Sequence, residues 1–115
     1  MKIANIDTIK TRIKIQVPGD FGKKTNETLE LEWKKLDIPE VKDIFKNMTD
    51  DLNDENETIL NHLINVNGLF NEDGSPAEYS HDVGEWLLSK EYISAPIKED
   101  FFKTQVGKEA LKQKN

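Results

Sequence analysis

Thr11-Arg12-Ile13-Lys14-Ile15-Gln16-Val17-Pro18-Gly19-Asp20, answered further on by Leu29-Glu30-Leu31-Glu32-Trp33-Lys34, is the stretch that decides the fold. In the first run Ile13, Ile15 and Val17 fall on one face, and Arg12, Lys14 and Gln16 on the other. A period of two marks a half-buried strand. Pro18-Gly19-Asp20 ends it, because proline has no N–H for a ladder and Gly-Asp favours a turn. In the second run Leu29, Leu31 and Trp33 oppose Glu30, Glu32 and Lys34. The two runs are predicted to form an antiparallel β-hairpin, about 11–17 and 28–34, with a long loop over 18–27. Its outer face is charge-complementary, with Arg12 and Lys14 set against Glu30 and Glu32. Such cross-strand pairs contribute about 0.2–1 kcal/mol each. A lone hairpin is marginal in water, so the apolar face needs helices beside it.

The rest of the chain supplies them. Asp37-Ile38-Pro39-Glu40 reads as a helix start, with Asp37 as cap, proline in the first turn and Glu40 near the positive end. Val41, Ile44, Phe45 and Met48 follow at helical spacing. Asp54-x-x-Glu57 resembles a capping box, and Ile59, Leu60, Leu63 and Ile64 continue as an apolar stripe that Gly68 would close in the left-handed conformation. Asn71-Glu72-Asp73-Gly74-Ser75-Pro76 is a turn signal. Ser80 caps a helix carrying Val83, Trp86, Leu87 and Leu88; Ser94 caps a last one, with Pro96 in its first turn and Ile97, Phe101, Phe102 and Val106 on its apolar side. The expected architecture is α+β: one N-terminal hairpin packed against four helices at about 38–48, 54–66, 80–89 and 95–110. Residues 1–115 make one domain, with mobile ends at 1–10 and 108–115.

Charge narrows the function classes. The formal net charge is −6, and the lysines and arginines are scattered apart from the pairs Lys23-Lys24 and Lys34-Lys35 and the Lys108, Lys112, Lys114 tail. Phosphate-backbone binding needs a clustered positive surface, so nucleic acid is not an expected partner. There is no cysteine, hence no disulfide or thiolate chemistry. No apolar run reaches the roughly 18 residues of a membrane span, and Met1-Lys2-Ile3-Ala4-Asn5-Ile6-Asp7 lacks the apolar stretch of a signal peptide. An intracellular protein is expected, in which the Asn-x-Thr triplets at Asn26, Asn47 and Asn56 carry no glycan.

Catalytic and ligand motifs are faint. Gly19-Asp20-Phe21-Gly22-Lys23-Lys24-Thr25 echoes a phosphate loop, but the glycines are too close together and a strand follows where a helix is required. Asn71-Glu72-Asp73-Gly74 echoes a calcium loop, but with Gly74 in the sixth place the first and twelfth places fall on Leu69 and Ser80. His62 and His81 are the only histidines, too few for a zinc site by themselves. The acidic pairs Asp50-Asp51, Glu72-Asp73 and Glu99-Asp100 read as solvated or facing helix N-termini. No enzyme, cofactor or metal is expected. Trp33, Trp86, Tyr92, Phe101 and Phe102 read first as core and second as contact residues, since aromatics dominate both settings. Adjacent helical positions point about 100° apart, so one of Phe101 and Phe102 is expected to reach outward.

Four segments carry a resemblance. They are Val17-Pro18-Gly19-Asp20 with Gly22-Lys23, then Trp33-Lys34-Lys35-Leu36, then Asn71 to Pro76 followed by Tyr79-Ser80, and last Tyr92-Ile93 through Phe101-Phe102 to Lys114-Asn115. In order and spacing, over about 12–115, the chain resembles the tail assembly chaperones of tailed bacteriophages and their prophages. The resemblance implies a protein without enzymatic activity that works in the bacterial host cytoplasm. It would transiently coat the tape measure protein, keep its long apolar helices soluble, help recruit tail tube protein subunits, and be absent from the mature virion. Some members also exist as a frameshifted longer form, and homo-oligomers are compatible with the role. A helix laid in a groove needs aliphatic and aromatic anchors, and on this resemblance the partner-binding candidates are Trp86, Tyr92, Ile93, Ile97, Phe101 and Phe102. The alternatives are a structural tail or head-completion protein of a phage, or an acidic regulator of a host protein.

Overall fold

A computed structural model of the chain describes residues 7–47 and 52–105. Met48, the Asp50-Asp51 pair, Val106 and the expected C-terminal end of the last helix lie outside them, as do residues 1–6 and 108–115 of the expected mobile ends.

Strands β1 (Thr8–Pro18) and β2 (Lys24–Lys34) form the expected antiparallel hairpin. Ile13 stands opposite Leu29, Thr11 opposite Leu31 and Ile9 opposite Trp33, which puts the apolar set of both strands on one face. The outer face is polar, as alternation requires. Arg12 Nε lies 3.4 Å from Glu30 Oε2, while Lys14 stands opposite Thr28 and Glu32 opposite Lys10. Both members of the Arg12–Glu30 pair are well exposed, so the pair adds little. The hairpin is longer than the alternation indicated. Thr8–Lys10, expected in a mobile end, pair with Glu32–Lys34, and the ladder runs on to Pro18 opposite Lys24, so the long loop over 18–27 is a tight turn. Polar Thr25, Asn26 and Glu27 carry no apolar face to read, yet they continue the ladder toward the solvated tip.

Helices α1 (Ile38–Asn47), α2 (Leu52–His62), α3 (His81–Leu88) and α4 (Glu91–Gln105) follow. At the start of α1 the Asp37 amide donates to Glu40 Oε1 at 3.3 Å, half of a capping box. Ser80 Oγ accepts from the Val83 amide at 3.3 Å and caps α3 as expected.

Three expectations are corrected. The second helix does not run to residue 66. It begins two residues before Asp54 and stops at His62, and Leu63–Asn67 form a third strand, β3, antiparallel to β2, giving the sheet order β1-β2-β3. Leu63 and Ile64 continue the helical spacing of Ile59 and Leu60, so periodicity alone misassigns them. An irregularity in the pairing at Glu32/Trp33 leaves Ile64 as the extra residue: Leu63 and Val66 are both buried, and Ile64 is pushed outward. Gly68 does take a left-handed φ of 102°, but it closes β3 and not a helix.

Secondly, Ser94 is not a cap. It is buried inside α4, which starts at Glu91 and carries Pro96 in its interior. An interior proline costs about 3 kcal/mol or more. Burying Ile93, Ile97, Phe101 and Phe102 on the same helix stabilises it by about 1.5–3 kcal/mol each, so packing outweighs the lost backbone bond.

Thirdly, neither Phe101 nor Phe102 reaches outward; both are buried. Helix α4 packs on β1 and on α3 at once, so its apolar arc is wider than one stripe. The rings meet edge to face at 5.3 Å, and Phe101 lies 5.3 Å from Trp33. One hydrophobic cluster joins Ile15, Leu31, Trp33, Ile59, Val66, Leu87, Ile97 and Phe101 between the inner sheet face and the helices.

Candidate interaction surface

The six residues expected to meet a partner separate into two groups. Ile93, Ile97, Phe101 and Phe102 are buried in the core. Tyr92 is half-buried and lines a shallow groove of about 440 Å³ with Lys14, Pro18, Lys24 and Pro96. Trp86 is 54% exposed on α3, with the Lys90 ammonium 5.8 Å from its ring centroid, within reach of a cation–π contact.

Among the described residues, the most exposed apolar side chain lies elsewhere. Phe21 is 99% exposed at the tip of the β1–β2 hairpin. The tip is closed by two backbone bonds, Gly19 N–H to Lys23 C=O at 2.7 Å and Lys23 N–H to Asp20 C=O at 3.1 Å. Phe21 takes φ 58° and ψ 34°, and Gly22 follows with φ 75°. Two successive left-handed residues make the tight hairpin turn that Asn-Gly or Asp-Gly normally fills. For a residue with a bulky side chain that conformation costs about 1–2 kcal/mol. The phosphate-loop echo at Gly19–Thr25 is therefore a hairpin turn that runs straight into β2. Sequence reading passed over Phe21; the signal was a phenylalanine in front of glycine where a tight turn favours a small polar residue.

Phe70 (66% exposed) leads into the loop expected as a turn. It bridges to Pro76, and the Gly74 amide donates to the Asn71 carbonyl at 2.9 Å. Asp73 Oδ1 accepts from the Ser75 amide at 2.9 Å and from Ser75 Oγ at 2.6 Å. These bonds, the hydroxyl first, hold the Asp73 carboxyl below its ordinary value. The calcium-loop echo is thus a turn whose acid is engaged by its own loop.

Under the surface, Asp100 and Gln105 pin α4 to the sheet. Asp100 Oδ2 accepts from Trp33 Nε1 at 2.8 Å and from Thr11 Oγ1. Gln105 Nε2 donates to the Lys34 carbonyl at 2.9 Å, and its Oε1 accepts from the Leu36 amide at 3.3 Å. Glu99-Asp100 was read as a solvated pair, but Asp100 has this structural task. His62 Nδ1 donates to the Thr58 carbonyl at 2.7 Å, with its ring 6.0 Å from Phe101. The Asp100 and Gln105 groups thus hold α4 to the sheet, while His62 is bonded within α2.

Among the described residues, the surface is a polar, acidic body displaying Phe21, Ile38, Ile64, Phe70 and Trp86. The fold among the described residues is a three-stranded antiparallel sheet with four helices. No protein-family model, curated protein or solved structure matches the chain. No helix among the described residues is long and apolar enough to cross a membrane.

Proposed function

We infer that the chain is a tail assembly chaperone of a tailed bacteriophage or prophage, which transiently shields the tape measure protein and helps recruit tail tube subunits in the host cytoplasm. The observation that carries a binding role is Phe21. Its ring contributes no burial to its own fold, and its backbone is held in a costly conformation. Docking into an apolar socket would return about 1.5–3 kcal/mol for a phenylalanine side chain, comparable to or larger than the strain of about 1–2 kcal/mol. The choice of partner rests on the sequence resemblance of the 12–115 segment. A long apolar helix offers such sockets between its side chains, and the acidic body supplies the repulsion that keeps coated helices apart.

The test compares infected cells with purified particles by mass spectrometry. A chaperone is present in the lysate and absent from the finished particle. Stoichiometric incorporation into particles would favour a structural tail or head-completion component and end this reading. The neighbouring reading frames give an independent check, with a tail tube gene expected before and a very long helical gene after.

A further inference from the structure

Three side chains that the interaction surface does not use converge between α2 and α3. His81 and Glu85 lie one turn apart on α3, and Glu57 faces them from α2. His81 Nε2 is 3.1 Å from Glu85 Oε1 and 4.0 Å from Glu57 Oε2, and one ligand atom from each residue lies within 4.8 Å of the others. With metal–ligand bonds of about 2.0–2.1 Å, the edge of a tetrahedron is about 3.4 Å. The His81–Glu85 separation already matches that edge, Glu57 stands farther off within 4.8 Å, and all three side chains are exposed, so a small rotamer change of Glu57 would complete three corners.

The backbone explains why they meet. A Cβ on Gly84 would lie 2.6 Å from Leu60 Cδ2, so the absence of a side chain lets α3 close on α2. Glu57 is one turn before Leu60, and Glu85 and His81 flank Gly84.

The surroundings favour a cation. Glu57 and Glu85 line a cleft of about 570 Å³ between α2, α3 and α4. Glu91 adds a third carboxylate, against the single ammonium of Lys98, which is paired with Glu55 at 3.5 Å. Asn56 lines the same cleft, and its Oδ1 is shielded from solvent without a hydrogen-bond partner. A buried acceptor left in that state calls for a donor or a cation-bound water.

We propose that Glu57, His81 and Glu85 form a binding site for one divalent cation of the zinc class, which staples α2 to α3. One imidazole nitrogen with two carboxylate oxygens selects a borderline transition metal over magnesium or calcium, which prefer all-oxygen sites. Three protein ligands leave a coordination position for water. The proposal is independent of the partner assigned above.

The test is a zinc chloride titration of chelator-washed protein followed by amide NMR. The expected result is saturable one-to-one binding with shifts centred on Glu57, His81 and Glu85, a raised melting temperature with zinc, and no matching shifts with magnesium. His81→Gln and Glu57→Gln should each weaken binding about tenfold or more. Asp82→Asn removes a neighbouring exposed charge that is not a ligand and should leave affinity within about twofold. Circular dichroism of each variant checks that the fold is kept, as exposed positions allow. Absence of saturable shifts at millimolar zinc, undiminished binding by His81→Gln, or equal response to magnesium would each overturn the site.

Discussion

Trp33 Nε1 donates to Asp100 Oδ2 at 2.8 Å, joining the fully buried tryptophan of β2 to the middle of α4. The same oxygen takes the hydroxyl of Thr11 on β1. One carboxylate therefore holds two strands and a helix. Asp100→Ala leaves the indole N–H without a partner and should cost about 1–3 kcal/mol. A lowered urea midpoint with an unchanged slope is the expected measurement. Because the two groups share one bond, Asp100→Ala combined with Trp33→Phe should cost less than the sum of the single changes. Simple additivity would show that the bond contributes nothing of its own.

Gly84 sets the spacing of α2 and α3. A methyl group there would meet the Tyr79 hydroxyl at 2.5 Å and Leu60 Cδ2 at 2.6 Å. Alanine is the better helix former by about 1 kcal/mol, but overpacking costs about 1–3 kcal/mol. Gly84→Ala should therefore lower the melting temperature, and a rise would mean that the helices separate without penalty.

The loop at Asp73 should resist acid through its own hydrogen bonds. Its carboxyl is held below the ordinary value of 3.8, chiefly by the Ser75 hydroxyl and then by the Ser75 amide. A carboxyl with a depressed folded value contributes fully above its unfolded value and loses that contribution as pH falls through the folded one. The Ser75 amide shift should thus titrate with a midpoint below 3.8. Ser75→Ala removes the larger cause and should bring the midpoint back up; a midpoint at or above 3.8 in the native protein would refute the hydrogen bonds.

Much of the fold was legible because local signals agreed with the outcome. Ile13, Ile15, Leu29 and Leu31 alternate and are buried, and Ser80 caps the helix it precedes. Where local and tertiary demands diverged, the reading failed for definable reasons. Leu63 and Val66 are three apart and become a strand face only through the irregular pairing with β2, which no periodicity announces. Pro96 pointed to a helix start, but Ile93 has a core to enter and draws the helix back to Glu91. The candidate surface was less legible. Anchors were sought where apolar residues are dense, and dense apolar residues on α4 belong to the core. Phe21 stands alone in a polar loop, and the Glu57, His81 and Glu85 cluster is assembled from two helices that sequence does not show touching.

On the proposed function, Phe21 sets stability against partner binding. Asparagine accepts the left-handed conformation that phenylalanine resists. Phe21→Asn should stabilise the isolated protein by up to about 1–2 kcal/mol, seen as a higher denaturation midpoint. A loss of stability would mean that the ring supports the hairpin in a way its full exposure does not indicate.

The most direct measurement is co-expression of the chain with the tape measure protein proposed as its partner, followed by the soluble yield of that partner. The account predicts that the native chain keeps the partner soluble in a stable complex, and that Phe21→Asn, though at least as stable alone, loses most of that effect. A partner that aggregates equally with and without the native chain would contradict it.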